Sequence, residues 1–165
     1  MHHFITGALR AVIAVVVPVG LFGQVVVIPV TAADEVDRFP AYGPLAAPYA
    51  VLAILGVACV QVALVATWRL LGMAQEGVIF APKAFRWVDV IIGSAMAATA
   101  LAMGAAVHLA LAEIPSPDEG MDVESALAAA ITAAGVGASF TMLTVIMRSL
   151  LGKATALQTE MAEVI

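Results

Sequence analysis

The residues of this chain that could carry chemistry are a histidine near the end of an apolar run, a lone cysteine, two glutamines inside apolar runs and a string of acids. An imidazole changes charge near neutral pH, so His108 could serve as a general base or proton relay if a carboxylate or a second imidazole oriented it. No apolar run supplies one, and the nearest acid, Glu113, already lies at the edge of its run. A histidine reaching interfacial water is therefore expected. Cys59 is the sole cysteine, which excludes a disulfide within one chain and a thiolate zinc site, and leaves a small buried hydrophobe. The acids of "PDEGMDVE" could attract a divalent cation, but their spacing does not match a calcium loop, and a solvated helix-capping surface is expected. No Gly-x-Ser-x-Gly, Walker or His-Glu-x-x-His pattern occurs. The chain is thus expected not to be an enzyme and to need no cofactor or metal.

Gln24 and Gln61 are the polar oddities. A glutamine amide in hydrocarbon is costly unless it finds a partner, and an interhelical hydrogen bond returns about 0.6 to 2 kcal/mol. Each is expected to clasp a neighbouring helix through a Ser, a Thr or a carbonyl freed by Pro18 or Pro29. A small polar cavity holding a ligand at Gln24 and Gln61 is the sharper alternative.

The elements that position these residues follow from composition. Of 165 residues 63% are hydrophobic and only 12% charged, against about a quarter charged in soluble domains. Four apolar runs stand out, Ala11 to Val30, Tyr49 to Leu71, Val90 to Ala112 and Ala126 to Met147. Each is about 20 residues or longer, enough at 1.5 Å per residue to cross a hydrocarbon core of ~30 Å. They are apolar all round, whereas soluble bundle helices need a polar face. The fold expected is all-α: a single integral-membrane four-helix bundle with spans at about 9–30, 48–72, 86–112 and 124–152.

Of the seven Lys and Arg residues, Arg10, Arg69, Lys83, Arg86, Arg148 and Lys153 fall in the N-terminus, the middle connection or the C-terminus; only Arg38 falls elsewhere. The positive-inside rule then places both termini and the middle loop in the cytoplasm of a bacterial inner membrane. The net charge of −5 comes from acids in the first and third connections and points to no acidic or nucleic-acid partner.

Along the chain, Pro40, Pro44, Pro48 and Gly43 predict an extended first connection over Thr31 to Pro48. Pro18 predicts a kink in the first span. Ser116, Pro117 and Glu119 have the order of an N-cap, first-turn proline and capping-box acid. Small residues recur every four positions at Ser94, Ala98, Ala102 and Ala106, and again at Ala129, Ala133, Gly137 and Thr141. In lipid such stripes mark close backbone approach, expected here between spans three and four; a homo-oligomer could use the same stripes.

The stretch "EGVIFAPKAFRWVD" joins spans two and three. Gly77 can end one helix and Pro82 start the next, Trp68 and Trp87 flank the turn as an aromatic belt, and Arg86 can pair with Asp89 three residues on. With "GQVVVIP" and the ending "LQTEMAEVI", this region resembles the bacterial membrane family catalogued as domain of unknown function 2975. The resemblance implies four spans, a Phe-x-x-x-x-Phe-Arg loop carried by Phe80, Phe85 and Arg86, and an acidic-aliphatic end at Glu163, Val164 and Ile165. Where many such loops have Ser or Thr after the first Phe, this chain has Ala81. The resemblance brings no activity; its members' neighbourhood with small helix-turn-helix regulators implies a cytoplasmic regulatory partner.

Leu157, Met161, Val164 and Ile165 share one side of a helical pattern. A short amphipathic C-terminal helix is expected to dock on the protein's own cytoplasmic face, with Glu160 or Glu163 reaching Lys83 or Arg86. Two function readings result: an interaction or regulatory protein using Phe80, Phe85, Arg86, Glu160 and Glu163, or a small transporter or channel subunit using Gln24 and Gln61.

Overall fold

The computed structural model describes residues 2–75, 82–114 and 123–163, with side chains over 5–75, 83–114 and 123–157. The expected Ser116 cap, the Gly77 helix end and Phe80 lie outside these residues. Five α-helices in chain order make up nearly all of it: α1 His2–Phe22, α2 Ile28–Arg38, α3 Gly43–Gln75, α4 Pro82–Leu111 and α5 Val123–Glu163. A π-helical turn, Gly23–Val27, fuses α1 to α2, so the first membrane-length helix runs from Ile5 to Arg38. Among the described residues four helices are long and apolar enough to cross a membrane.

The first connection is shorter than its prolines predict. The helix continues to Arg38, a 3-10 turn over Pro40–Tyr42 reverses the chain, and α3 begins at Gly43. Pro40 opens the 3-10 turn and Pro44 sits in the first turn of α3, where a missing N–H leaves no bond unmade. Only Pro48 lies deeper in that helix, where it removes one ladder bond. Prolines that look like helix breakers in sequence are here mostly helix starters. The turn is packed by Phe39 against Tyr42, ring centroids 5.7 Å apart, with Tyr42 4% exposed.

The irregularity expected at Pro18 occurs further on. Helix α1 carries Pro18 within it, and the ladder widens at Gly23–Val27, where the Ile28 N–H donates to the Gly23 carbonyl five residues back. Pro29 explains the site: its ring would press on the carbonyl of Val25, four residues earlier, and a π turn supplies the extra room.

Packing follows chain order. Helix α3 packs on α1, α2 and α4, and α4 packs on α5; among the described residues α1 and α5 do not meet. The helix pairs run antiparallel in a regular register. Arg10 lies on Trp68, Val17 is met by Gln61 and Gln24 meets Ile54, so steps of seven residues along α1 match steps of seven back along α3. Seven residues is two turns, the repeat that keeps one seam facing its neighbour. On the α4–α5 seam Asp89 meets Arg148 and Thr99 meets Gly137, which also sets these two helices antiparallel.

Burial is sparse for a bundle of this length. Only 6% of each apolar window is buried inside the protein, and Leu111, Val25 and Met142 are 79%, 73% and 70% exposed. Such surface is tolerable only in an apolar solvent.

Helix α5 corrects one expectation. The chain from Thr155 to Glu163 forms no separate short helix; it is the end of one unbroken 41-residue helix. At 1.5 Å per residue α5 is ~61 Å long, twice a hydrocarbon core of ~30 Å.

Candidate functional site

Gln24 is 9% exposed and its Nε2 donates to the Ile54 carbonyl at 3.0 Å. Gln61 Nε2 donates to the Val17 carbonyl at 3.3 Å. Both are interhelical clasps between the first helix and α3, as the cost of a bare amide in hydrocarbon requires. Their acceptors are ordinary backbone carbonyls rather than those freed by proline, because a helical carbonyl keeps a second lone pair after accepting its ladder bond. The two glutamines are not brought together: two helical turns, ~10 Å, separate them along the seam. Gly20 makes room for the second clasp, since a Cβ there would lie 2.7 Å from Gln61 Nε2.

Hydroxyls inside the apolar helices are occupied in the same economical way. Thr67, Thr99, Thr132, Thr141 and Thr144 each donate to the carbonyl four residues back at 2.8 Å, and Ser94 donates to the Ile91 carbonyl at 2.9 Å.

His108 gains a partner that the sequence reading lacks. Its Nδ1 is hydrogen-bonded to the Tyr49 hydroxyl at 2.7 Å, the rings meeting edge to face with centroids 5.7 Å apart. Tyr49 opens the second span and His108 closes the third, so antiparallel packing puts them at one end of the bundle. That was readable in principle. A tyrosine hydroxyl orients the imidazole without the negative charge that a catalytic carboxylate would add.

Asp89 also pairs differently. Its carboxylate takes the guanidinium of Arg148 on α5, Nε to Oδ1 and, at 2.9 Å, Nη2 to Oδ2, rather than Arg86 on its own helix. A two-bond fork matches carboxylate geometry better than an i, i+3 contact, and it ties α4 to α5. Arg86 is exposed and Phe85 half-buried.

The small-residue stripes meet in part. Gly137 faces Thr99 so closely that a Cβ would lie 2.4 Å from the threonine Oγ1. Ala134 and Ala106 are buried, at 4% and 6% exposure, but Ala129 and Ala133 are exposed. The contacting face of α5 is thus rotated by one residue over its first half. Ala129 and Ala133 instead border an open apolar groove of about 1220 Å³ among α3, α4 and α5, with Ser94, Ala98 and Ala102 on its other side.

A recess lies at the end where Arg10, Arg69 and Lys83 line a common wall. It has a volume of about 870 Å³ and is walled by α1, α3 and α4. Two arginines are laid over tryptophan faces, Arg10 on Trp68 at 5.6 Å and Arg69 on Trp87 at 5.8 Å, contacts that hold guanidinium planes in place. Gly72 keeps the space open: a Cβ there would come within 2.9 Å of Arg10 Nη2. Arg10 Nε is buried and meets no acceptor among the described residues. Sequence reading used these residues for topology and for an aromatic belt; that they form one recess depends on three helices meeting. Among the described residues no cluster of three or more His, Cys, Asp or Glu could hold a metal ion.

Four membrane-length helices with apolar surfaces define a multi-pass membrane protein. The chain belongs to the family described as protein of unknown function DUF2975, whose profile matches residues 30–165. The match begins after "GQVVVIP", so α1 and the π turn lie outside it. No curated protein and no solved structure matches the chain.

Proposed function

We propose that this is a non-enzymatic, membrane-embedded interaction or regulatory protein of the bacterial cytoplasmic membrane, with both termini cytoplasmic and a contact face at its basic end. The observation that carries this reading is the overhang of α5. Past the Asp89–Arg148 tie, α5 continues 15 residues to Glu163, whereas α4 extends only 7 residues, back to Pro82. The difference of 8 residues is ~12 Å of helix standing beyond its neighbour. A helix end projecting past its neighbour is a shape suited to a partner. Phe85 and Arg86, in the first turns of α4, lie toward the same end of the bundle, and Phe80 precedes them in sequence.

Glu160 stands ~18 Å beyond Arg148 along α5, and Arg86 only ~4.5 Å beyond Asp89 along α4. An unbroken helix therefore carries Glu160 and Glu163 outward, and the contact face is better read as open to a second protein than as filled by the tail. The transporter alternative has less support, because both glutamine amides are engaged on backbone carbonyls and in-helix bonds occupy the hydroxyls.

The test is affinity purification in mild detergent, comparing the full chain, a chain ending at Lys153, and full-length Arg86→Glu. A protein recovered with the full chain and lost from both variants is the expected result. Identical recoveries from all three would overturn the contact face.

A further inference from the structure

We propose that the recess between α1, α3 and α4 is a binding site for one anionic phospholipid, its phosphate held by Arg10, Arg69 and Lys83 and its acyl chain lying along the apolar wall below. The charge is one-sided: these three cations line the recess and no acid does among the described residues. Asp89, on the same helix as Lys83, is engaged by Arg148. Arg10 Nε, buried without an acceptor, marks a donor whose partner is not supplied by the described chain. A phosphate diester offers the oxygens that arginine forks and a lysine ammonium recognise.

The shape selects an amphiphile over a free anion. Below Arg10 the wall consists of Ile13, Ala14, Val17, Pro18 and Val65. Arg10 to Val17 spans two turns, so this apolar surface descends ~10 Å from the cations toward mid-span. A headgroup at the interface with a chain running down a groove has that polarity profile, and basic pockets between spans are known sites for anionic headgroups. The tryptophans contribute twice, by steadying the two guanidinium groups and by placing amphipathic rings at headgroup depth. This inference does not rest on the partner reading above, since no cytoplasmic protein enters it.

The protein carries its own reporter. Its 2 tryptophans, Trp68 and Trp87, both line the recess. Purified protein would be placed in phosphatidylcholine vesicles in which either phosphatidylglycerol or phosphatidylcholine carries brominated chains, at equal mole fraction, and tryptophan quenching compared. Each cation near a bilayer surface raises affinity for an anionic lipid about fivefold, so a preference of roughly tenfold or more for brominated phosphatidylglycerol is expected. Arg10→Gln with Arg69→Gln should remove it, while Arg86→Gln, a single charge loss at the same end but outside the recess, should leave it within about twofold. Equal quenching by the two lipids overturns the proposal, and so does a loss in Arg86→Gln matching that in Lys83→Gln, an equal charge loss within the recess, which would mean diffuse surface attraction. If circular dichroism shows the double variant unfolded, Lys83→Gln alone must lower the preference by about fivefold or the site is rejected. Inorganic phosphate that abolishes the preference where sodium chloride of equal ionic strength does not would mean a free-anion site and overturn the lipid assignment.

Discussion

At the scale of single residues, this protein handles polarity by hiding it. Gln24, Gln61 and a series of threonines sit in segments that are otherwise hydrocarbon-like, and each donates to a backbone carbonyl. The Gln61 clasp depends on a glycine that has no polar role of its own. Gly20→Ala would place a methyl 2.7 Å from the amide nitrogen and push Gln61 off the Val17 carbonyl. Gly20→Ala and Gln61→Leu are each expected to lower stability by about 0.6 to 2 kcal/mol, and the double variant by no more than either alone, because both remove one interaction. Thermal melting in detergent measures the cycle; full additivity would show that Gly20 does not act through the clasp. The glutamines were legible as clasps from sequence because hydrocarbon leaves an amide no alternative. Their acceptors were not, because every helical carbonyl is a possible one and only the register selects Ile54 and Val17.

Among the elements, the α4–α5 seam is where small residues matter most. Gly137 admits the Thr99 side chain, and Gly137→Leu would drive several atoms into the space the hydroxyl now occupies. Overpacking of this kind costs about 1 to 3 kcal/mol, and Thr99→Ala in the same chain should return a substantial part of it by clearing the contact. Helix melting followed by circular dichroism reads both; a Gly137→Leu protein as stable as the parent would mean that the helices do not approach there. The periodicity of small residues correctly points to this seam. It misplaces the contacting face over Ala129 and Ala133 by one position, since a four-residue stripe drifts around a helix of 3.6 residues per turn while a contact between helices does not. The prolines of the first connection mislead for a related reason: composition marks them as breakers, and only their position in a first turn makes them starters.

On the scale of the whole molecule, the basic end unites topology, the cationic recess and the α5 overhang. If the basic end faces the cytoplasm, as proposed, the turn after α2 lies outside. Replacing Cys59 by Ser removes the sole native thiol, after which Ala33→Cys should react in intact cells with a membrane-impermeant maleimide and Ala154→Cys only after the membrane is opened. The reverse pattern would invert the chain and move the recess to the outer leaflet.

The sequence by itself determined the solvent. Runs of apolar residues longer than a bilayer is thick leave no soluble alternative, and that is a property of length and composition that no packing detail can reverse. It also determined that the helices alternate in direction, since short connections allow nothing else. Only the tertiary structure decided which polar groups meet. Tyr49 with His108, Asp89 with Arg148, and Arg10 with Arg69 and Lys83 around one cavity are separated by tens of residues, and each depends on the axial register of two or three helices. That register is set by side-chain packing along seams, to which hydropathy is blind because every face of these helices is apolar.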